Sequence, residues 1–299
     1  MGCDAGRTVE ENGKENKGYP VCRKTIELPK LVDSMATYDE NRIILGAKDE
    51  LQILDIGKGN ISPLSTEHKG RINCVIKLSN NDIVTAGQDK FIKLWKIDSK
   101  NSIETLEGHK SMIWCINEIK GDKVISGSSD GRAIIWNLKE KKLDFELFKE
   151  KEISVVIQLN TGKVLLGSSD KLILFDLESK KQLTSLETKA GVWAIRELSD
   201  GKVAAGFGNG DIGILEVGND IKVKLTLKGH KKTVNSIIEL SNHKLVSFAD
   251  ENNMILWDLN DPEGKYFIEG HTDNVMSLTY INGNKFASVS KDKTLKIWE

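Results

Sequence analysis

Four histidines keep one fixed distance to four tryptophans. His68, His109, His230 and His271 stand 27 residues ahead of Trp95, Trp136, Trp257 and Trp298 respectively. Imidazole is the side chain best suited to proton transfer near neutral pH and a frequent metal ligand, so the series invites a catalytic or metal-binding reading. The spacing argues against it. Each pair belongs to its own unit of about 41 residues, so the imidazoles do not converge on one ion or one substrate. Buried imidazoles and indoles need hydrogen-bond partners wherever they lie, and a structural role is expected for these. Two usual marks of catalysis are missing: there is no HExxH and no P-loop. Cys3, Cys22, Cys74 and Cys115 form no CxxC pair that would hold zinc. No enzyme activity, metal or cofactor is expected.

The elements that must position these residues follow from the period. The apolar residue ending each Ile/Leu-rich stretch falls at Leu54, Trp95, Trp136, Phe175, Leu215, Trp257 and Trp298, at intervals of 41, 41, 39, 40, 42 and 41 residues. Within a unit the pattern is that of strands. In the third, MIWCINEIKGD, VIS and RAIIWNL alternate apolar and polar positions, Asp130-Gly131 supplies a tight turn, and KKLDFELF adds a fourth strand. Four strands every 40 or so residues make one propeller blade. The fold class expected is all-β: a single seven-bladed β-propeller of four-stranded blades.

These units resemble the WD40 repeat. The marks are the GH pairs Gly108-His109, Gly229-His230 and Gly270-His271 with the variant Glu67-His68, and the turns TAGQD (Thr85 to Asp89), SGSSD (Ser126 to Asp130) and SVSKD (Ser288 to Asp292). Trp257-Asp258 is the one literal Trp-Asp; Trp95-Lys96, Trp136-Asn137 and Phe175-Asp176 are variants. The resemblance covers about residues 23 to 299 and implies a hydrogen-bonded relay inside a blade, from Asp to His to Ser or Thr to Trp. The sets are Asp89, His68, Thr85 and Trp95; Asp130, His109, Ser126 and Trp136; and Asp292, His271, Ser288 and Trp298. In the sixth blade His230, Ser247 and Trp257 are present, but Glu251 stands in the Asp position. Leu54, Phe175 and Leu215 are expected to pack by hydrophobicity alone.

The resemblance also implies that protein or peptide partners dock on the top face of the ring. The positions following the first apolar residue of each inner strand are Asp33, Asn73, Trp114, Ser154, Trp193, Asn235 and Met276, with Phe207 and Phe248 expected beside them in place of the third blade's Gly127. Trp and Met are enriched at interfaces. The competing reading is that both tryptophans fill space between blades. No arginine occupies the seven positions, so a reader of phosphorylated motifs is not expected. The function expected is that of an interaction scaffold or adaptor, with a fixed subunit of a large assembly as the alternative.

Residues 1–21 read as a polar tail and 22–299 as the propeller. The last repeat reaches only Trp298-Glu299, while Arg23 to Leu28 resembles a fourth strand, so residues 23–28 are expected to complete the last blade. Deleting residues 1–30 is then expected to destabilise the ring, and deleting 1–18 is not. Met1-Gly2-Cys3 offers Gly2 for a myristoyl chain and Cys3 for a palmitoyl chain, although position six is Gly rather than Ser or Thr. Lys+Arg is 43 against Asp+Glu 44, so the balance supplies no basic field for nucleic acid. A monomeric ring in a reducing cytoplasm is expected, membrane-associated only through acylation.

Overall fold

Short alternating runs closed by tight turns give this chain its hairpins. In the third repeat Lys123–Ser128 pairs with Arg132–Asn137, and Gly131 takes a φ of +80° in the turn between them, a conformation open to glycine at no steric cost. The first strand, Ile113–Ile119, lies on one side of this hairpin and the fourth, Lys142–Lys149, on the other.

The computed structural model describes residues 19–99, 101–149 and 151–299. The acylation candidates Gly2 and Cys3 lie outside them. The described residues form seven four-stranded antiparallel sheets and no helix. The inner strands Ser34–Asp39, Ile72–Lys77, Ile113–Ile119, Ile153–Gln158, Val192–Glu197, Val234–Leu240 and Val275–Asn282 touch one another in sequence, and the last touches the first. The result is a closed seven-bladed β-propeller.

Closure is made by the other end of the chain. Cys22–Glu27 pairs antiparallel with Thr294–Trp298 as the outer strand of the seventh blade. Val21 and Glu299 exchange backbone hydrogen bonds of 2.8 and 3.1 Å, and Leu28 N–H donates to Lys293 O at 2.8 Å. Ile26 and Leu28 are buried there against Leu295 and Ile297.

The core is divided among the joints between blades rather than gathered in one centre. Each of the seven periodic residues seals the joint with the preceding blade. Trp136 packs against Val84, Ala86 and Leu94 of the second blade. Trp257 meets Ala204 and Ile212 of the fifth, and Trp298 meets Val246 and Phe248 of the sixth. Leu54, Phe175 and Leu215 fill the same place in the joints that carry no tryptophan. This accounts for the GH pair as well. A Cβ on Gly108, Gly229 or Gly270 would lie 2.7–2.9 Å from the indole Cη2 of Trp136, Trp257 or Trp298, closer than atoms approach, so the glycine leaves room for the ring.

On the lower rim, where the inner strands end, carboxylates clasp the preceding blade. Glu118 accepts hydrogen bonds from the Ser79 backbone N–H and hydroxyl, Glu239 from those of Ser199, and Glu197 from the Asn160 N–H.

Candidate functional site

The four histidines are held inside their own blades. Trp95, Trp136, Trp257 and Trp298 each donate the indole N–H to the hydroxyl of Thr85, Ser126, Ser247 or Ser288 at 2.8 Å. That hydroxyl lies 2.6–2.8 Å from Nε2 of His68, His109, His230 or His271. Because the oxygen already accepts from the indole, its own proton points to Nε2. The imidazole proton then sits on Nδ1, which faces Asp89 at 2.8 Å, Asp130 at 3.0 Å and Asp292 at 2.8 Å. With a neutral imidazole the donor direction runs unbroken from indole to carboxylate. Each aspartate also caps the backbone N–H after its histidine, at Lys69, Lys110 or Thr272. In the third blade the buried Arg132 braces Asp130 and reaches Glu146 and the Gly108 carbonyl.

Burial pushes the pKa of His109, His230 and His271 down against the pull of the neighbouring carboxylates, for His230 to about 4. Burial works to raise the pKa of Asp89, Asp130 and Asp292, but the hydrogen bonds they accept hold all three below the ordinary value. A histidine whose folded pKa is depressed binds its proton first in the unfolded chain. Its stability contribution is therefore complete above about pH 6.5 and lost as pH falls toward the folded value. The carboxylates add a further loss at lower pH. Thermal midpoints should be flat above pH 7 and decline steadily from about pH 6.5 to 4, with His230 alone contributing on the order of 3 kcal/mol. A midpoint that holds level down to pH 4 would contradict the neutral assignment.

The sixth blade departs from the others. Glu251 keeps the N–H cap, accepting from Lys231 at 2.7 Å, but its carboxylate stays 3.9 Å from His230 Nδ1. That nitrogen is buried without a hydrogen-bond partner. An unsatisfied buried donor costs about 1–3 kcal/mol. Glu251→Asp is expected to restore the contact and raise stability by about 1 kcal/mol, read as a shift of the urea midpoint; an unchanged or lower midpoint would count against it.

Six of the seven upper-rim positions share one backbone device. Asn73, Trp114, Ser154, Trp193, Asn235 and Met276 each sit at a register shift between the inner strand and its neighbour; Asp33 immediately precedes its strand. A bulge re-aims its side chain, and the uses differ. Asn73 donates to Ile113 O at 2.9 Å, and Ser154 donates to Val192 O, so both latch onto the next blade. Asn235 donates to Asp250 at 2.8 Å, and Asp33 pairs with Arg71 at 3.2 Å. Met276 packs on the joint of the seventh and first blades.

Two expected members of the face lie elsewhere. Phe248 does replace Gly127 in register, opposite Ser236, but it is 2% exposed and fills the joint with the seventh blade beside Val275. That position points at the next blade: a Cβ on Gly127 would lie 2.6 Å from Ile153, and one on Gly206 2.7 Å from Val234. Phe207 lies one residue further, opposite Val192 as Ser128 lies opposite Ile113. It packs on the joint between the fourth and fifth blades.

Trp114 and Trp193 remain half-buried and come together. Their ring centroids are 5.9 Å apart with planes at 81°. They belong to the third and fifth blades and meet across the fourth, whose position holds the small, inward-turned Ser154. Trp114 donates its indole N–H to Ser129 Oγ at 2.7 Å and to Glu152 Oε1, and the Ser129 hydroxyl also donates to that oxygen at 2.7 Å. A Cβ on Gly191 would lie 3.0 Å from Trp193 Nε1, so this indole edge rests against glycine backbone. Sequence reasoning missed Ser129, Glu152 and Gly191; the repeat pattern carries no mark for them.

A ring of seven such blades, four of them pinned by Trp–Ser/Thr–His links, is a WD40-repeat propeller. Residues 61–96, 100–137 and 263–299 match the family described as WD domain, G-beta repeat. The chain is 23% identical over 224 residues to the p21-activated protein kinase-interacting protein 1-like of Danio rerio, covering 73% of this chain and 61% of that protein. It is 29% identical over 178 residues to Elongator complex protein 2 of Schizosaccharomyces pombe, covering 53% and 23%. With the small ribosomal subunit protein RACK1 of Neurospora crassa it shares 30% over 126 residues, 40% of each chain. The chain thus spans less than two thirds of the length of each of these relatives.

Proposed function

We propose that this chain is an interaction scaffold that docks protein or peptide partners on its upper rim and catalyses no reaction. The carrying observation is the tryptophan pair. Two large aromatic side chains brought together on the rim and left half-buried are a costly arrangement in water and a typical binding hot spot. The relatives support the reading, since one is named for interaction with a kinase and two are named as members of a complex or a ribosomal subunit. Those two names also favour the second reading, a fixed subunit of a large assembly. Native size-exclusion separates the two: a stable high-mass peak favours the subunit. A cytoplasmic location, with Gly2 and Cys3 as an acylated tether, is part of the proposal, and mass spectrometry of the N-terminus tests it.

The variants Trp114→Ala and Trp193→Ala test the face. Each is expected to weaken capture of the same partners at least tenfold, the loss of about 1.4 kcal/mol or more, while thermal midpoints fall by only a few degrees. Unchanged capture, or collapse of the fold, would remove the rim as the docking surface.

A further inference from the structure

The chemistry around the tryptophan pair narrows what the rim can hold. Two indole faces at 81° make the walls of a corner, and aromatic faces attract cations. At the N–H edge of one wall stands Glu152, whose Oε1 is occupied by Trp114 and Ser129. Its Oε2 has no hydrogen bond and no ion pair among the described residues. The nearest candidate cation in sequence, Lys151, is committed to Asp170. The corner thus holds one uncompensated negative charge and one free acceptor.

We infer that this corner receives a lysine side chain of the docked partner, its ammonium against the two indoles and one N–H on Glu152 Oε2. The inference rests on the rim being the docking surface. A guanidinium fits less well. Arginine gains its advantage from a bidentate fork on both carboxylate oxygens and from stacking flat on one ring; here one oxygen is taken and the walls are perpendicular. An ammonium is a compact point charge that needs one acceptor and tolerates any azimuth. Glu152 is the specificity-determining group, and Ser129 is a positioning residue that fixes its rotamer.

The protein carries its own reporters. Six indole N–H signals are expected in a 1H–15N spectrum: Trp114 and Trp193 at the corner, and four buried in the relays as internal controls. Titration of the full chain with n-butylammonium should shift the Trp114 and Trp193 signals, saturate in the millimolar range and leave the four relay signals in place. n-Butylguanidinium should bind at least threefold more weakly, and n-butanol should produce no saturable shift. Glu152→Gln, which keeps the hydrogen bonds to Trp114 and Ser129, should weaken n-butylammonium at least fivefold. Equal responses to ammonium and butanol, or no effect of Glu152→Gln, would overturn the inference. A silent titration alongside partner capture that still depends on Trp114 and Trp193 would sink the lysine receptor and leave the docking face standing. Loss of both would sink the face itself.

Discussion

A chain lacking residues 1–30 is expected to lose its cooperative fold. The deletion removes the outer strand of the seventh blade, with its backbone ladder to Thr294–Trp298 and the buried side chains of Ile26 and Leu28. Burying those two side chains is worth about 3–6 kcal/mol. Whole domains are typically stable by about 5–15 kcal/mol, so the loss is a large part of the total, and it opens an unpaired edge beside Trp298. Circular dichroism melts of the full chain and the deletion decide the matter. A synthetic peptide covering residues 19–30 should restore part of the lost midpoint when added in trans. A deletion that melts within a few degrees of the full chain would show that the ring holds without its seam.

Trp136→Ala should cost about 3–5 kcal/mol, the range for removing a large buried aromatic side chain. The indole is 1% exposed and seals the joint between the second and third blades. Its loss also leaves Ser126 and His109 at the end of a broken chain of hydrogen bonds. Trp136→Phe separates the two contributions: the ring stays and only the N–H to Ser126 is removed, for about 1 kcal/mol. Urea denaturation of both variants, read against Trp114→Ala, tests the assignment. If Trp136→Ala and Trp114→Ala cost the same, the division into relay and rim tryptophans fails.

The parts of this structure that were legible in sequence are those that repeat for a physical reason. Leu54, Trp95, Trp136, Phe175, Leu215, Trp257 and Trp298 recur because each closes one joint, so counting them counts blades. The strand that shuts the ring was readable within one residue, as 23–28 against the observed Cys22–Glu27, because it looks like the fourth strands elsewhere. The position after the first apolar residue of each inner strand was readable for the same reason. What that position does in each blade was not. Ser154 and Trp193 occupy equivalent places, yet one turns to a neighbouring carbonyl and the other to an indole. The difference is set by groups in other blades, some 40 to 80 residues distant in sequence. Phe248 read as a surface residue because its exposure depends on the next blade; only the joint with Val275 shows that it is covered. Phe207 was misplaced by one residue, and in a strand one residue exchanges the two faces.

The seam has a consequence for how the protein is born. Ile26 is made some 270 residues before its partner Leu295. At ordinary elongation rates the interval is on the order of tens of seconds. Throughout it the opening strand has no mate, and six blades can assemble only as an arc with two raw ends. Such long-range pairing is slow to form and leaves strand edges open to other chains. Newly made molecules should therefore depend on chaperones more heavily than the mature ring does, and exchange of the opening strand between two nascent chains is the misassembly to look for.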